Sequence, residues 1–156
     1  MRSFQKMVYF ASGILLILLV ILVVLSLISR KAPERGVDRA RLSPCPDAPN
    51  CVCSEYPGNA FVEPLHFKGP PQAAWQRAKE VIRNMGGRTE REEEGYLRAV
   101  FFSRIFRFQD DVELRMDRAE ARIHIRSASR VGYSDLGQNR KRVERIRARF
   151  DQVQTE

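Results

Sequence analysis

Residues 106–130, FRFQDDVELRMDRAEARIHIRSASR, contain two runs in which apolar and polar side chains alternate. This period of two is typical of strands, because successive side chains of a strand point to opposite faces of a sheet. Only residues 117–120 separate the two runs. We therefore predict an antiparallel hairpin with one apolar and one polar face. The apolar face carries positions 106, 108, 112, 114 and 116 of the first run and 121, 123 and 125 of the second.

The chain on either side of the hairpin predicts more strands and two covering helices. Strands are predicted over 96–104 and near 88–91, and a short edge strand, interrupted by a proline, over 61–67. Residues 70–87 begin with two prolines, end with two glycines and carry apolar residues at helical spacing, which predicts a helix. A second helix is predicted over 139–154. The fold class is therefore α+β, a two-layer domain of about four antiparallel strands packed with two helices. The apolar stripe of the second helix is formed by Val143, Ile146, Phe150 and Val153.

A transmembrane helix is predicted at the N-terminus, because residues 8–28 carry no charge. At about 1.5 Å per residue this run spans a hydrocarbon core of about 30 Å. Lys6 and Arg30 bracket it, where cationic side chains reach the interface. A cleaved signal peptide is the competing interpretation, but its apolar region is normally about 7–15 residues and ends in small residues. The predicted organisation is an anchor over 1–29, a basic stem over 30–44 and an α+β domain over 45–156.

Three cysteines lie in the proline-rich segment PCPDAPNCVCS, residues 44–54. Residues 45–60 are predicted to form an irregular loop, because they contain several prolines. Cys45 and Cys51 are close enough in sequence for a disulfide, which would require an oxidising compartment. Two other interpretations stay open: three free thiols in a reducing compartment, or a metal site with His66 as fourth ligand. The spacing is not a standard zinc pattern.

Two signals oppose each other on the membrane orientation. Positive charges are more numerous on the C-terminal side of the apolar run, which favours a cytoplasmic domain. A disulfide in the loop beyond the stem would favour the opposite side. The C-terminal flank carries Arg30, Lys31, Arg35, Arg39 and Arg41, and the N-terminal flank carries Arg2 and Lys6.

The formal net charge of +8 is unevenly distributed along the chain. Residues 42–117 contain 10 Lys/Arg and 12 Asp/Glu, whereas residues 118–149 contain 10 Lys/Arg and 3 Asp/Glu. A basic third fits nucleic acid, anionic lipid or an acidic partner, and it also fits a well-solvated helix. The anchor and the sparse aromatic residues of this third disfavour nucleic acid.

The segment RSASRVGYSDLGQNRKR, residues 126–142, has the chemistry of an anion site. Its glycines permit tight turns with exposed N–H groups, and a helix N-terminus follows. Cations in the first turn oppose the helix dipole unless an anion lies nearby. That anion is either a ligand or an acidic side chain of the adjacent strand, at Asp110, Asp111 or Glu113. The predicted ligand-binding residues are Arg126, Ser127, Ser129, Arg130, Gly132, Gly137, Asn139, Arg140 and Arg142.

Asp110 breaks the alternation, because it falls on the apolar face of its strand. A buried carboxylate is costly unless it is paired, so we expect Asp110 to meet a cation, a backbone N–H or a serine. Asp110 is then either a buried polar tie or, with Asp111, the acid/base group of an enzyme. His124 falls on the polar face of its strand and is predicted to be solvated. No metal and no cofactor are expected.

Three segments, LSPCPDAPNCVCS, FRFQDDVEL and IHIRSASRVGYSDLGQNRKRVERIR, resemble the family of domains of unknown function numbered 1499 (DUF1499), over residues 42–150. The resemblance implies a bacterial or plastid protein, commonly with a membrane or export segment, and it therefore favours an extracytoplasmic domain. It implies no activity. Cys53 departs from the family pattern, which more usually has serine, and it competes with the Cys45–Cys51 pairing. The matching positions are Cys45, Cys51, Asp110, Asp111, Glu113, Arg126, Ser127, Ser129, Arg130, Gly132, Tyr133, Asp135, Gly137, Asn139 and Arg142.

Taken together, these features predict a single-pass membrane protein whose domain binds an anionic ligand or a lipid headgroup. One alternative is a hydrolase-like enzyme that uses Asp110 and Asp111. The other is a structural component of a bacterial envelope complex, in which the basic helix contacts a protein partner.

Overall fold

The computed structural model describes residues 2–31, 37–38 and 41–152 of the 156-residue chain. These residues form one long N-terminal helix, an antiparallel sheet and two further helices, so the predicted α+β class is confirmed. The elements are α1 (Arg2–Ser29), β1 (Val37–Asp38), β2 (Arg41–Leu42), β3 (Cys51–Cys53), β4 (Leu65–His66), α2 (Pro71–Asn84), β5 (Arg88–Glu93), β6 (Tyr96–Phe102), β7 (Gln109–Asp117), β8 (Arg122–Ser129) and α3 (Gln138–Gln152).

The main sheet has six strands within the described residues, compared with the predicted four or so. Its order is β3-β8-β7-β6-β5, and β4 also pairs with β8. The predicted β7–β8 hairpin is confirmed, with Asp117 opposite Arg122 at its turn. The prediction of an irregular loop over 45–60 is wrong at Cys51–Cys53, because these residues form β3. Of the edge strand predicted over 61–67, the structure contains only Leu65–His66. Strands of two or three residues are too short to show periodicity.

The two helices α2 and α3 cover the apolar face of the sheet, as predicted. Two prolines begin α2 and need no backbone donor there. Burial of each large apolar side chain stabilises the fold by roughly 1.5–3 kcal/mol. Val153, the last predicted member of the α3 stripe, lies outside the described residues. The centre of this core contains Trp75, Ala78, Ile82, Val112, Leu114, Ile123, Ile125, Val143, Ile146 and Phe150.

The polar face of the hairpin is buried as well, because residues 41–57 lie over it. We call this segment the cover. Leu42, Cys53 and Tyr96 form a second, smaller core there. The Tyr56 hydroxyl donates a hydrogen bond to the Leu42 carbonyl oxygen at 3.0 Å, which holds the cover together. Leu42 belongs to the predicted stem, yet it is fully buried. Of that stem, residues 32–36 and 39–40 lie outside the described part of the chain.

This cover buries His124, so the prediction that His124 is solvated is wrong. The residue is 7 % exposed, and Nδ1 lies 3.2 Å from Ser54 Oγ. Burial lowers the pKa of His124, because it penalises the charged imidazolium. Alternation separates the two faces of a strand, but it does not reveal whether a proline-rich loop covers the second face.

A disulfide joins Cys45 to Cys51 within the cover, with the Cα atoms 5.6 Å apart. It connects β3 to the proline-rich turn before it. Cys53 remains a free, buried thiol. Burial raises the pKa of the Cys53 thiol, so it is protonated and unreactive at neutral pH.

The segment Phe4–Ser29 of α1 is long and apolar enough to cross a membrane, although a signal sequence would fit the same criteria. The last turn of α1 contacts the domain, since Ser26 and Ser29 are buried. The Gln109 N–H donates a hydrogen bond to Ser29 Oγ at 3.3 Å, and Arg130 Nη1 lies 3.4 Å from the Ser29 carbonyl oxygen. The last residue of the helix therefore lies at the end of the sheet where the central strand β7 begins.

Replacing both Cys45 and Cys51 with serine is expected to lower the free energy of unfolding by about 2 kcal/mol, because a cross-link over a short loop restricts the unfolded chain by roughly that amount. Urea unfolding of the full chain in detergent micelles, followed by the fluorescence of its single tryptophan, Trp75, measures the change. The control is Cys53→Ser, which keeps the disulfide. An unchanged unfolding midpoint in the double variant, or three reactive thiols in denatured, unreduced protein, would contradict this account.

Candidate functional site

Charged side chains of β7 and β8 meet beneath the cover. Glu113 and Arg126 lie opposite each other in register, and each side chain is 1 % exposed. Arg126 Nη1 donates a hydrogen bond to Glu113 Oε2 at 2.7 Å, and the Tyr96 hydroxyl donates one to Oε1 at 2.8 Å. Burial and the adjacent Glu113 carboxylate raise the pKa of Tyr96, so the phenol stays a donor. Both oxygens of Glu113 therefore have partners.

Arg130 is a second buried guanidinium, and it connects four elements. Its Nε and Nη2 donate to the two carboxylate oxygens of Asp111 at 2.9 and 2.7 Å, a bidentate pair. Nη2 also donates to Glu90 of β5 at 2.9 Å, and Nη1 donates to the Gln109 side chain at 2.7 Å. Burial lowers the pKa of Arg130, but the Asp111 and Glu90 carboxylates outweigh it and raise the pKa overall. Through Ser29, this permanently charged group also reaches α1.

Arg142 ties α3 to the apolar side of the hairpin. Its Nη2 donates to Asp110 Oδ2 at 2.6 Å, and its Nη1 donates to Ser127 Oγ at 3.1 Å. The guanidinium lies 5.0 Å from the centroid of the Phe101 ring. Asp110 was expected to need a partner because it lies on the apolar face, and Arg142 is that partner.

Asn139 continues this network from α3 to β8 and to the cover. Its Nδ2 donates to the Asn50 carbonyl oxygen at 2.8 Å and to Ser129 Oγ at 3.0 Å. Its Oδ1 accepts a hydrogen bond from the Ser127 hydroxyl at 2.6 Å. The amide of Asn139 is therefore fully engaged in holding elements together.

The N-terminus of α3 is capped from within the protein. The Asp135 carboxylate accepts hydrogen bonds from the N–H groups of Gly137, at 2.9 Å, and Asn139, at 2.5 Å. Arg140 donates to two backbone carbonyl oxygens of the loop after β3, at 2.7 and 2.8 Å. Gly132 and Gly137 adopt φ values of 87° and 76°, which glycine tolerates best. Arg140 and the N–H groups of Gly137 and Asn139 at this helix end thus already have acceptors.

A cleft of about 160 Å³ lies where β8 meets the cover. Arg126 lines it, and the buried Nε and Nη2 of Arg126 have no hydrogen-bond partner among the described residues. Asn50 lines it as well, and its buried Oδ1 has no partner among those residues either. A buried polar group without a partner costs about 1–3 kcal/mol, and more when it is charged. A polar group bound in the cleft is one way to give these three atoms partners. The other walls come from Pro46, Asp111, Ala128, Ser129 and Arg130.

A larger groove of about 730 Å³ lies between the disulfide loop and the β8–α3 connection. Prolines and the rings of Tyr56 and Tyr133 form much of its wall. Its charged residues are Asp47, Asp135 and Arg140, and the last two are already bonded to backbone groups. Among the described residues, the smaller cleft is therefore the better candidate for a binding site.

The structure divides eight of the nine predicted ligand-binding residues among three places, and the carbonyl oxygen of the ninth, Gly132, accepts a hydrogen bond from Asn50 Nδ2. Arg126, Ser129 and Arg130 line the cleft, and Gly137, Asn139 and Arg140 line the larger groove. Ser127 and Arg142 lie with Asp110 on the helix-covered side. Asp111 lines the cleft as the partner of Arg130.

Asn50 is the member of the cleft that sequence reasoning missed. It immediately precedes β3, and its carbonyl oxygen accepts a hydrogen bond from the Ser129 N–H at 3.0 Å. The pairing of Cys51 with Ala128 in the structure brings residue 50 to the end of β8, but no pattern in the sequence indicates this pairing. Without β3 in the prediction, nothing placed Asn50 beside Arg126.

Comparison with known proteins supports the resemblance seen in the sequence. The DUF1499 family, described as proteins of unknown function, matches residues 41–150. No curated protein and no solved structure matches the chain. The matched region begins with β2, ends within α3 and contains the whole cleft. Since the match covers well over half of the sequence, the chain belongs to the DUF1499 family.

Proposed function

We propose that this protein is a membrane-anchored binding module whose cleft holds the carboxylate group of a small ligand. The observation that carries the proposal is the Nε–Nη2 edge of Arg126, which is buried and has no hydrogen-bond partner in the part of the chain that the structure describes. Two N–H groups on one edge of a guanidinium form a planar fork that fits the two oxygens of a carboxylate or phosphate.

The charges around the cleft favour a singly charged ligand. Arg126 is paired with Glu113, and Arg130 is paired with both Asp111 and Glu90, so these two cations and three anions carry a net charge of −1. A carboxylate adds one negative charge beside two guanidinium groups. A phosphate dianion adds more negative charge near Asp111, and close charges of the same sign repel strongly away from water.

Asn50 narrows the ligand class further. Its buried Oδ1 needs a donor, while Arg126 needs two acceptors. A carboxylate with a hydroxyl or amino group on the adjacent carbon supplies both. A cleft of about 160 Å³ suits a ligand of this size, because drug-sized ligands occupy sites of roughly 300–1,000 Å³.

The anchor and the disulfide support a domain outside the cytoplasm. The apolar segment of α1 is uncleaved in this proposal and spans the bilayer. The Cys45–Cys51 bond persists in oxidising compartments. Arg30, Lys31 and Arg41 favour the opposite orientation, but long domains translocate largely regardless of such charges.

The two alternatives drawn from the sequence gain no support from the geometry. A hydrolase would use Asp110 or Asp111, but each of these carboxylates accepts hydrogen bonds from an arginine. That the protein contacts a partner in an envelope complex stays a prediction, and co-purification from membranes would test it.

Glycolate is expected to bind the full chain in detergent, and Arg126→Lys should weaken this binding roughly 10–100-fold, because lysine keeps the charge but loses a hydrogen-bonding fork worth about 1.5–3 kcal/mol. Calorimetric titration at fixed ionic strength compares glycolate with acetate and inorganic phosphate. Glycolate should bind tighter than acetate, which lacks the donor for Asn50, and phosphate should bind weakest.

Arg140→Lys is the matched control, because Arg140 lies outside the cleft and should leave glycolate affinity unchanged. Circular dichroism and the unfolding midpoint without ligand show whether each variant is folded. If Arg126→Lys does not fold, Asn50→Ser serves in its place and should reduce the preference for glycolate over acetate. If glycolate does not bind the wild type, or binds a folded Arg126→Lys variant equally well, the proposal is contradicted.

The proposed orientation predicts that protease digests the domain in sealed membrane vesicles whose outer surface corresponds to the outside of the cell. The same vesicles made permeable with mild detergent provide the control for protease activity. Thiol labelling of the protein denatured straight from these vesicles should detect one cysteine, Cys53, before reduction and three after it. A domain protected until the vesicles are made permeable would show that it faces the cytoplasm.

A further inference from the structure

We infer that the end of the sheet next to the anchor docks on the lipid surface, with Ile105, Tyr133 and Leu136 entering the membrane interface. This inference rests on the proposed anchor and not on the carboxylate site. Outside α1, these three are the exposed large apolar side chains of the described residues, at 82 %, 75 % and 85 % exposure.

All three residues lie on connections at one end of the sheet. Ile105 belongs to the β6–β7 connection, which joins Phe102 to its register partner Gln109. Tyr133 and Leu136 belong to the β8–α3 connection, which begins after Ser129, the register partner of Asp110. Because residues 109 and 110 are the start of β7, both connections leave the sheet at the same end.

The anchor reaches the domain at that same end. Ser29 of α1 bonds to Gln109 and approaches Arg130, the residues next to the two connections. The 26 residues of Phe4–Ser29 are about 39 Å long at 1.5 Å per residue, and the hydrocarbon core is about 30 Å thick. The last turn of α1, and the domain end in contact with it, therefore lie in the headgroup region.

The β6–β7 connection, SRIFRF at residues 103–108, has the composition of an interfacial loop. Exposed Arg104 and Arg107 flank Ile105, and the rings of Phe106 and Phe108 lie 5.9 Å apart beside it. Aromatic rings concentrate at membrane interfaces, and arginine near the surface is attracted to anionic headgroups.

The β8–α3 connection presents its apolar side chains to the outside at a conformational cost. Leu136 has a φ of 54°, a left-handed conformation that residues other than glycine rarely adopt. Its side chain nevertheless contacts water rather than the core. A lipid interface supplies the apolar surroundings that would stabilise this arrangement.

The opposite end of the sheet is polar. Its acidic side chains, Glu94, Asp117 and Glu120, form ion pairs with the arginines Arg118, Arg115 and Arg122. Among the described residues this end exposes no large apolar side chain, so it should face away from the membrane. The domain is thus polarised along its strands, with the apolar and cationic end beside the anchor.

Tryptophan fluorescence tests the inference, because the chain has one tryptophan, Trp75, in the core. We would place a single tryptophan at each end in the Trp75→Phe background: Ile105→Trp or Leu136→Trp near the anchor, and Glu94→Trp as the control at the opposite end. The full chain is reconstituted in vesicles of phosphatidylcholine and phosphatidylglycerol with brominated acyl chains, which quench tryptophan on contact.

The Ile105→Trp and Leu136→Trp variants should lose most of their fluorescence in these vesicles, and Glu94→Trp should keep nearly all of it. The unfolding midpoint of each variant in detergent confirms that its fold is unchanged. Quenching at positions 105 and 136 no stronger than at 94 would overturn the inference, and these side chains would then be candidates for contact with a protein.

Discussion

Two opposite charges, Arg126 and Glu113, are buried together in the middle of the β7–β8 hairpin, and the domain is arranged around them. Removing one partner of such a pair costs about 3–5 kcal/mol, because an uncompensated charge then remains buried. The pair stays dry only while residues 41–57 cover it. The Tyr96 hydroxyl donates a hydrogen bond to Glu113. The Tyr56 hydroxyl and the Cys45–Cys51 disulfide hold residues 41–57 in place over the pair.

The sequence predicts one half of this domain well and the other half poorly, for a physical reason. Alternation over residues 106–130 defines the hairpin, and helical spacing defines α2 and α3, because these elements are long and amphipathic. The cover has no periodicity, so β3, the burial of His124 and the place of Asn50 could not be predicted. From the sequence alone, the arginines of residues 126–142 could bind either a ligand or carboxylates of the same protein. The structure pairs Arg126, Arg130 and Arg142 with acidic side chains, and within the described residues one edge of Arg126 has no partner.

Arg130 links the cleft to the membrane end of the protein. It lines the cleft, forms a bidentate pair with Asp111 and approaches the carbonyl oxygen of Ser29 at the end of α1. A ligand carboxylate beside Arg126 would thus lie one side chain away from the anchor. In the proposed arrangement, the cleft opens close to the lipid surface, and the disulfide loop holds the wall that separates ligand from solvent.

The most direct test of the central claim observes the guanidinium of Arg126 itself. In the full chain labelled with ¹⁵N-arginine, nitrogen–proton spectra report each Nε–H group separately. Addition of glycolate should shift one Nε–H resonance in a saturable way, and that resonance should be missing from the Arg126→Lys spectrum. If no arginine resonance moves, or if the resonance that moves persists in Arg126→Lys, the buried edge of Arg126 is not a carboxylate site.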